Sequence, residues 1–481
     1  MRGLYLVLAT AILSPLHAVS VSVDVIASQN PHPAVQVKSR AVSPNVTSSL
    51  QHRDVPGQKA VFMHVILIFK FSLTLINAFQ FDVDVFGYTF DNWVRDLTTI
   101  KAAGIDAVAL NIGKANDWQI DQVSTAYDAA ASVGISTFIS FDYSSFPCDT
   151  NLTISYFNSN KDKPAQFKVD GVPMISSFLG LCLGTDGWQS IKNQGAYLMP
   201  FIEVSDAQDL QVGRPWGFLQ HWHCWGCAWP QGNAPKTTDD DNWYLSNLGA
   251  GRFATTVSAW LYVHYPGNNR YLRGDDHLLA TRWEQLIGLR SSLRFVEYAT
   301  WNDFGESHYV APTTSGNQPA GTTWVNGFPH TAWLDMSKYY IQYFKSGSAP
   351  SVTTESVYFW LRPNPHSIQA TGDSVGQPTG WDWARDSLYA VVFCRTTGGS
   401  CSATLKVGNT SQSYSNLQPG PNKLELPLDG NSFGTVTVQV FRDGGKVIDD
   451  TPSANTFQYT NSAVTYNFNA FVGSATASIC G

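Results

Sequence analysis

Short apolar, β-branched runs alternate with amphipathic stretches from Gly87 to about Gly347, and this alternation limits the fold more than any other feature. The run "GIDAVALNIG" (Gly104 to Gly113) is bounded by glycines, as a strand buried on both faces of a parallel sheet should be. Before it, Trp93, Leu97 and Ile100 stand at helical spacing, with Asp91 as a cap and Gly104 as a stop. After it, Val123, Tyr127, Ala130 and Val133 repeat a helical face that ends at Gly134. Six more runs follow, "ISTFISFDY", "VPMISSFLG", "AYLMPFIEV", "GFLQHWHCW", "FATTVSAWLYVHY" and "RFVEYATWND". Helical segments are clearest around Leu278 to Leu289 and Met336 to Phe344. With "VFMHVI" (Val61 to Ile66) as the first strand there are eight, and eight β-α units in roughly 290 residues predict a (β/α)8 TIM barrel over residues 59–350.

From residue 351 to residue 481 the texture changes to alternating stretches such as "LYAVVF" and "TVTVQVF" with turn signals such as "DGG". The expected class is therefore α/β, a TIM barrel followed by a C-terminal all-β sandwich domain. Structural support is the commoner use of such a domain, and carbohydrate binding is the alternative. The first 20 residues, "MRGLYLVLATAILSPLHAVS", follow a secretory signal pattern, and residues 21–58 read as a disordered linker or pro-segment. Export permits disulfides among the seven cysteines and glycosylation at the sequons of Asn45, Asn151 and Asn409. Cys224 and Cys227 lack a second pair or a histidine set to complete a zinc site, and Cys394 with Cys401 fits a hairpin bridge. One thiol is left over, and its identity stays open.

A net charge of -7 gives no electrostatic footprint for nucleic acid or an anionic membrane surface. The 16 Trp and 20 Tyr exceed ordinary core use and suit stacking on sugars. Chemistry in a barrel sits at the C-terminal ends of its strands. Asp142 ends the third expected strand, Glu203 the fifth, and Asp303 with Glu306 follow the eighth in "TWNDFGESHY". Paired carboxylates ringed by Trp222, Trp225, Trp260 and Trp301 suit glycoside hydrolysis, where one acid gives a proton and another activates water or attacks the sugar. Asn111, Trp260, His264, Trp301, Asn302 and His308 are candidate substrate contacts, and Asp117 is a weaker candidate at the mouth. The acidic run "DDDN" (Asp239 to Asn242) reads as a solvated helix start rather than a calcium loop, and no metal or cofactor is expected.

The ordered motifs "ALNIG", "FISFD", "ISSFLG", "TWNDFGESHY" and "FPHTAW", with "YFWLRPNPHS" and "YNFNAFVGS" further on, resemble the fungal α-1,3-glucanases, or mutanases, of glycoside hydrolase family 71. The resemblance implies a hydrolase of α-1,3-glucan, generally inverting, with Asp303 and Glu306 as essential acids and Asp142 as a further important carboxylate. Glu306 is the preferred general acid and Asp303 the preferred base. A monomer acting on cell-wall glucan outside the cell is expected, with no membrane attachment after signal removal. Residues 67–85 depart from the family pattern. They read as a retained intron, against a lineage-specific loop or a span over Val61 to Phe79 that Lys70 disfavours. Two other functions stay open, a glucan-binding wall protein without activity and a glycosidase of another α-glucan linkage.

Overall fold

The computed structural model describes residues 57, 59–67, 69–74, 78–83, 85–114, 116–313 and 321–478. The expected leader, nearly all of the 21–58 segment, the Asn45 sequon and Cys480 lie outside the described residues.

Eight parallel strands, with a short antiparallel strand Lys168–Val169 beside the fourth, form the central sheet: β1 (Ala60–Ile66), β2 (Ala107–Ile112), β3 (Ser136–Asp142), β4 (Val172–Phe178), β5 (Tyr197–Pro200), β6 (Trp222–Cys224), β7 (Phe253–Val257) and β8 (Phe295–Tyr298). Each pairs with its sequence neighbour from β1 to β5 and from β6 to β8, and β8 returns to pair with β1. Between β5 and β6 the sheet carries no ladder; the His221 N–H donates to the Leu198 carbonyl at 3.0 Å, and the Tyr197 hydroxyl meets His221 Nδ1 at 2.6 Å. The sheet is thus strongly curled.

The side-chain period of two divides each strand between two cores. Val61, Met63 and Val65 pack outward with Trp93, Leu97 and Ile100 of helix α1 (Phe90–Ala102). Phe62 turns inward, into a separate cluster with Ala107, Phe138, Met174, Met199, Ala254 and Phe295. The first helix is capped by Thr89 in a reciprocal box with Asn92, so Asp91 lies in the first turn and is not the cap. The second, α2 (Asp117–Val133), ends at left-handed Gly134 as its sequence requires. The remaining crossovers carry α3 (Thr150–Asn160), α4 (Gly184–Asn193), α5 (Asp239–Leu248), α6 (Leu278–Gly288) and α7 (Thr331–Ser346). The β5–β6 crossover has only a 3₁₀ turn at Ala207–Leu210.

Two expectations need revision here. "FATTVSAWLYVHY" is not one strand: it breaks after Val257, and Leu261–Tyr265 pairs antiparallel with Asn268–Leu272 in a hairpin. "DDDN" does begin a helix, but Asp241 is fully buried and not solvated. Its carboxylate takes a fork of Arg282 hydrogen bonds at 2.5 and 2.7 Å. Within the atypical 67–85 segment, Phe69–Thr74 pairs antiparallel with Ala78–Val83. Among the described residues no helix is long and apolar enough to cross a membrane.

After α7, two four-stranded antiparallel sheets follow. In the first, Val357, Phe359 and Leu361 share a core with Ala403, Leu405, Val438 and Val440 of the second. The alternate residues Tyr358 and Trp360 face the other way, into the core of the eight-stranded unit. Disulfides join Cys148 to Cys182, Cys224 to Cys227 and Cys394 to Cys401, the last two as the spacing allowed.

Two buried histidines are expected to make the fold acid-sensitive. Burial is the main cause that pushes His221 and His330 down to about 3. For His330 burial outweighs its contacts with the Tyr309 and Ala470 carbonyls at 3.0 and 2.9 Å. Each ring is neutral when folded and binds a proton when unfolded below its ordinary pKa of about 6.5. Their contribution is therefore complete above that pH and declines as pH falls toward the folded value, by about 1.4 kcal/mol per pH unit for each ring. The urea midpoint is expected to fall between pH 7 and pH 4.5, and a His221→Asn, His330→Gln double variant is expected to show a shallower slope, with His223 and His277, which burial also lowers, still contributing. A wild-type midpoint that does not move over this interval would contradict the assignment.

Candidate active site

The loop after β8 is a closed turn. The Thr300 N–H donates to the His308 carbonyl at 2.9 Å, and the Val310 N–H returns to the Thr300 carbonyl at 3.1 Å. Inside this closure the Asp303 N–H donates to Thr300 Oγ1 at 2.8 Å. The Glu306 N–H in turn donates to Asp303 Oδ1 at 2.9 Å. The three-residue spacing is thus what lets one acid's carboxylate fix the other's backbone. Both side chains then meet one ring: His308 Nε2 lies 3.4 Å from Asp303 Oδ2 and 3.1 Å from Glu306 Oε2. The His308 side chain is wholly buried, whereas 7% of the Asp303 side chain and 18% of the Glu306 side chain remain exposed. Both carboxylates are therefore reachable from solvent, Glu306 the more so.

A hairpin holds this loop from above. The Tyr262 N–H donates to the Glu306 carbonyl at 2.9 Å, and Ser307 Oγ donates to the Tyr262 carbonyl at 2.7 Å. Arg270 Nη2 reaches Glu306 Oε1 at 3.5 Å. Gly305 has no room for a larger residue without crowding the hairpin: a Cβ there would stand 3.1 Å from Tyr265 Oη.

Asp142 is the last residue of β3 and is buried, with Oδ1 accepting from the Ser144 N–H at 2.9 Å. Asn111 is the penultimate residue of β2, in register with Ser140 of β3, and its Oδ1 is buried without a hydrogen-bond partner in the protein. Because all eight strands are parallel, these two residues emerge at the same end of the sheet as the acid loop. Glu203 lies three residues beyond β5 and is exposed as a residue, and only partial desolvation of its carboxyl raises its pKa. Asp117 is the first residue of α2, and its side chain lies outside the described residues.

The other expected contacts are engaged elsewhere. Trp260 is buried, with Nε1 donating to the Phe468 carbonyl at 2.9 Å and its ring against Trp333. Trp301 donates to Asp96 Oδ2 at 3.0 Å and ties β8 to α1. Asn302 makes two hydrogen bonds to the Ile66 backbone, at 2.8 and 2.9 Å, and fastens the end of β1. His264 binds Asp373 Oδ2 at 2.8 Å. Trp222 donates to the Ile202 carbonyl and packs on Tyr244, on the helix side of the sheet. Only Trp225 of the expected ring faces the site, 6.4 Å from His308 between ring centroids. Trp229 joins it at 5.4 Å. These tryptophans were expected to stack on sugar because ring count says nothing about which face of a strand a ring occupies.

Sequence reasoning missed a charged cluster inside the sheet. His64 Nδ1 of β1 meets Glu297 Oε1 of β8 at 2.6 Å, and His223 Nε2 of β6 lies 3.7 Å from Glu297 Oε2. Burial alone raises Glu297, but His223 and His64 together outweigh it and hold the carboxyl below its usual range. Burial lowers His223. Next to the cluster, the His64 ring contacts Trp225 at 4.7 Å. The available signal was an ionisable residue at an inward position of an otherwise apolar run, in "VFMHVI", "QHWHCW" and "RFVEYAT".

Asp303, Glu306 and His308 offer one ligand atom each within 4.8 Å of one another. By count this set fits a divalent ion, and it fits a hydrogen-bonded acid pair equally. The set Cys227, Asp240 and Asp241 does not fit a metal, because the sulfur is in a disulfide and Arg282 occupies Asp241.

Comparison with known proteins adds relatives to this geometry. A sequence model of the family described as Glycosyl hydrolase family 71 matches residues 75–480, so β1 precedes the match. The chain is 33% identical over 439 residues to the glucan endo-1,3-alpha-glucosidase agn1 of Schizosaccharomyces pombe, covering 85% of this chain and 98% of that protein. It is 30% identical over 404 residues to the mutanase Pc12g07500 of Penicillium rubens, covering 80% and 85%. Among solved structures, a GH99 endo-alpha-mannosidase from a Bacteroides species is similar with a TM-score of 0.45 and 12% identity, over 60% of this chain and 97% of that one.

Proposed function

Since the chain belongs to glycosyl hydrolase family 71 and is a glycoside hydrolase, we propose that it is secreted and cleaves α-1,3-glucan of fungal cell walls with the acid pair Asp303 and Glu306. The observation that carries the proposal is the turn that fixes both carboxylates around one buried histidine at the C-terminal end of the sheet. The domain reading goes with it: a (β/α)8 barrel over residues 59–350, completed across the β5–β6 seam, and a β-sandwich over residues 351–481. Exposed sequons at Asn151 and Asn409 and three disulfides are compatible with export.

In this mechanism Glu306, the more exposed acid, protonates the bridging oxygen as the bond to the anomeric carbon breaks. Asp303 removes a proton from the attacking water, and Asp142 steadies the charge that builds on the sugar ring. The His308 Nε2–H holds both carboxylates in place. Asn111 Oδ1 accepts from a sugar hydroxyl, with Trp225 as the apolar floor. No metal or cofactor enters these steps, and the enzyme acts as a monomer.

Spacing bears on the anomeric outcome. Ligand oxygens of the two acids lie within 4.8 Å, closer than the ~6.5–9.5 Å between acid and base in inverting enzymes and nearer the ~5–5.5 Å of retaining ones. Inversion, the expectation from the family, requires substrate and water to part the two side chains; retention requires no such movement. NMR of the first-formed product decides: the β-anomer indicates inversion and the α-anomer retention. Reducing-sugar release is expected from insoluble α-1,3-glucan and not from α-1,4-glucan assayed beside it. Binding to the glucan without release would leave a lectin-like wall protein, and release only from the α-1,4-polymer would change the substrate.

A further inference from the structure

The hairpin that holds the acid loop is itself held by the C-terminal region. Asp373, in the segment after Leu361, accepts four hydrogen bonds. Its Oδ1 takes the Val375 and Gly376 N–H groups at 2.7 and 3.0 Å. Its Oδ2 takes the Tyr466 N–H at 2.7 Å and His264 Nε2 of the hairpin at 2.8 Å. Burial would raise this carboxyl, but the three backbone donors hold it below its usual range. The second hairpin strand is tied to the same segment. Asn269 Nδ2 donates to the Gly376 carbonyl at 2.9 Å, the Thr379 N–H donates to the Asn269 carbonyl at 3.0 Å, and the Tyr271 N–H of the hairpin donates to the Thr379 carbonyl at 2.8 Å. Further along, Tyr262 Oη donates to the Tyr466 carbonyl at 2.9 Å. Trp324 Nε1 donates to Ser307 Oγ at 3.0 Å, while its carbonyl accepts from Asn467 Nδ2 at 3.1 Å. The motif "YNFNAFVGS" therefore runs along the back of the catalytic loop.

We infer that the C-terminal region is a working part of the active site, with Asp373 as a positioning residue that fixes His264 and so sets Arg270 and Tyr265 against the Asp303–Glu306 loop. This rests on the reading of that loop as catalytic. The contacts form one continuous path: Asp373 to His264, along the hairpin to Arg270, and from Arg270 to Glu306. Arg270 is an isolated strand partner of Thr379, so loosening the Asp373 segment also loosens the backbone under the guanidinium. Among the described residues, the ionisable groups that face Glu306 include Asp303 and His308 from its own loop and Arg270 from the hairpin, with Tyr265 beside Gly305.

The test measures kcat, KM and the pH dependence of kcat on α-1,3-glucan for Asp373→Asn, Arg270→Gln and Glu306→Gln in the full chain. Asp373→Asn is expected to lower kcat by about 10–100-fold with KM within about 3-fold, the size of effect a misplaced catalytic group produces. Its pH profile is expected to move in the same direction as that of Arg270→Gln, which removes outright the guanidinium that Asp373→Asn would displace from Glu306. If Asp373→Asn folds and keeps the wild-type kcat and profile while Glu306→Gln is inactive, the inference is overturned. The same holds if Asp373→Asn only lowers thermal stability and leaves the profile in place. If Glu306→Gln stays active, the catalytic reading fails instead. Should Asp373→Asn not fold, His264→Gln is measured by the same criteria.

Discussion

Glu306→Gln and Asp303→Asn, made singly, are each expected to lower turnover of insoluble α-1,3-glucan by about 10²–10⁴-fold, the range that general acid–base groups contribute. The two losses should differ in kind. Glutamine at 306 keeps the volume, and its one carbonyl oxygen can still accept from Arg270 or from His308, but it carries no acidic proton to give to the bridging oxygen. Its deficit should therefore shrink on an aryl glucoside whose leaving group departs without protonation. Asparagine at 303 keeps the oxygen that receives the Glu306 N–H, yet it cannot take a proton from water. Its deficit should persist whatever the leaving group. Measuring both variants on both substrates assigns acid and base. Exchange of the two patterns would swap the roles, and near-wild-type turnover by either variant on glucan would remove that residue from catalysis. Circular dichroism and thermal midpoints close to wild type for Glu306→Gln are needed to read the loss as chemistry, since that side chain is partly exposed.

Why the acid pair was legible in the sequence and its supports were not follows from range. Strand periodicity, glycine stops and the position of Asp142 at a strand end are local, and the structure reproduces them: β3 ends at Asp142 and α2 stops at Gly134. The Asp303–Glu306 relation is also local, because the turn that joins them is closed by their own backbone and side-chain atoms. Trp301 and Asn302 fall in the same motif, but their partners Asp96 and Ile66 are far away in the chain. Nothing within the motif tells a sugar contact from a strut. His264 fails the same way, since its partner Asp373 lies 109 residues on. The hairpin was hidden by composition: Leu261–Tyr265 is as apolar as the strand before it. Only the break at Ser258 to Trp260 separates a parallel strand from an antiparallel one.

The largest stability effect is expected at Asp241, where a reading from composition points the wrong way. Three adjacent aspartates at a helix start look interchangeable, and each is well placed for the helix dipole. Only Asp241 turns inward. Its carboxylate and the Arg282 guanidinium are both wholly buried. Thr255 Oγ1 donates to the carboxylate at 2.7 Å, and Arg282 Nε donates to the Thr256 carbonyl at 3.1 Å. The pair thereby joins α5, α6 and β7, the strand that leads into the hairpin over the active site. Asp241→Ala leaves a guanidinium in the core with no counter-charge and is expected to cost about 3–5 kcal/mol. Asp239→Ala, at an exposed position, should stay within about 0.5 kcal/mol of wild type. The pair as a whole is worth much less than this difference implies, because desolvation of two charges offsets most of their attraction. A double Asp241→Leu, Arg282→Met variant should thus recover most of the stability that the single change loses. Urea midpoints for the three variants check the order. An Asp241→Ala protein as stable as Asp239→Ala would mean that Arg282 finds another partner or reaches water, and the core at β7 would then be looser than this packing requires.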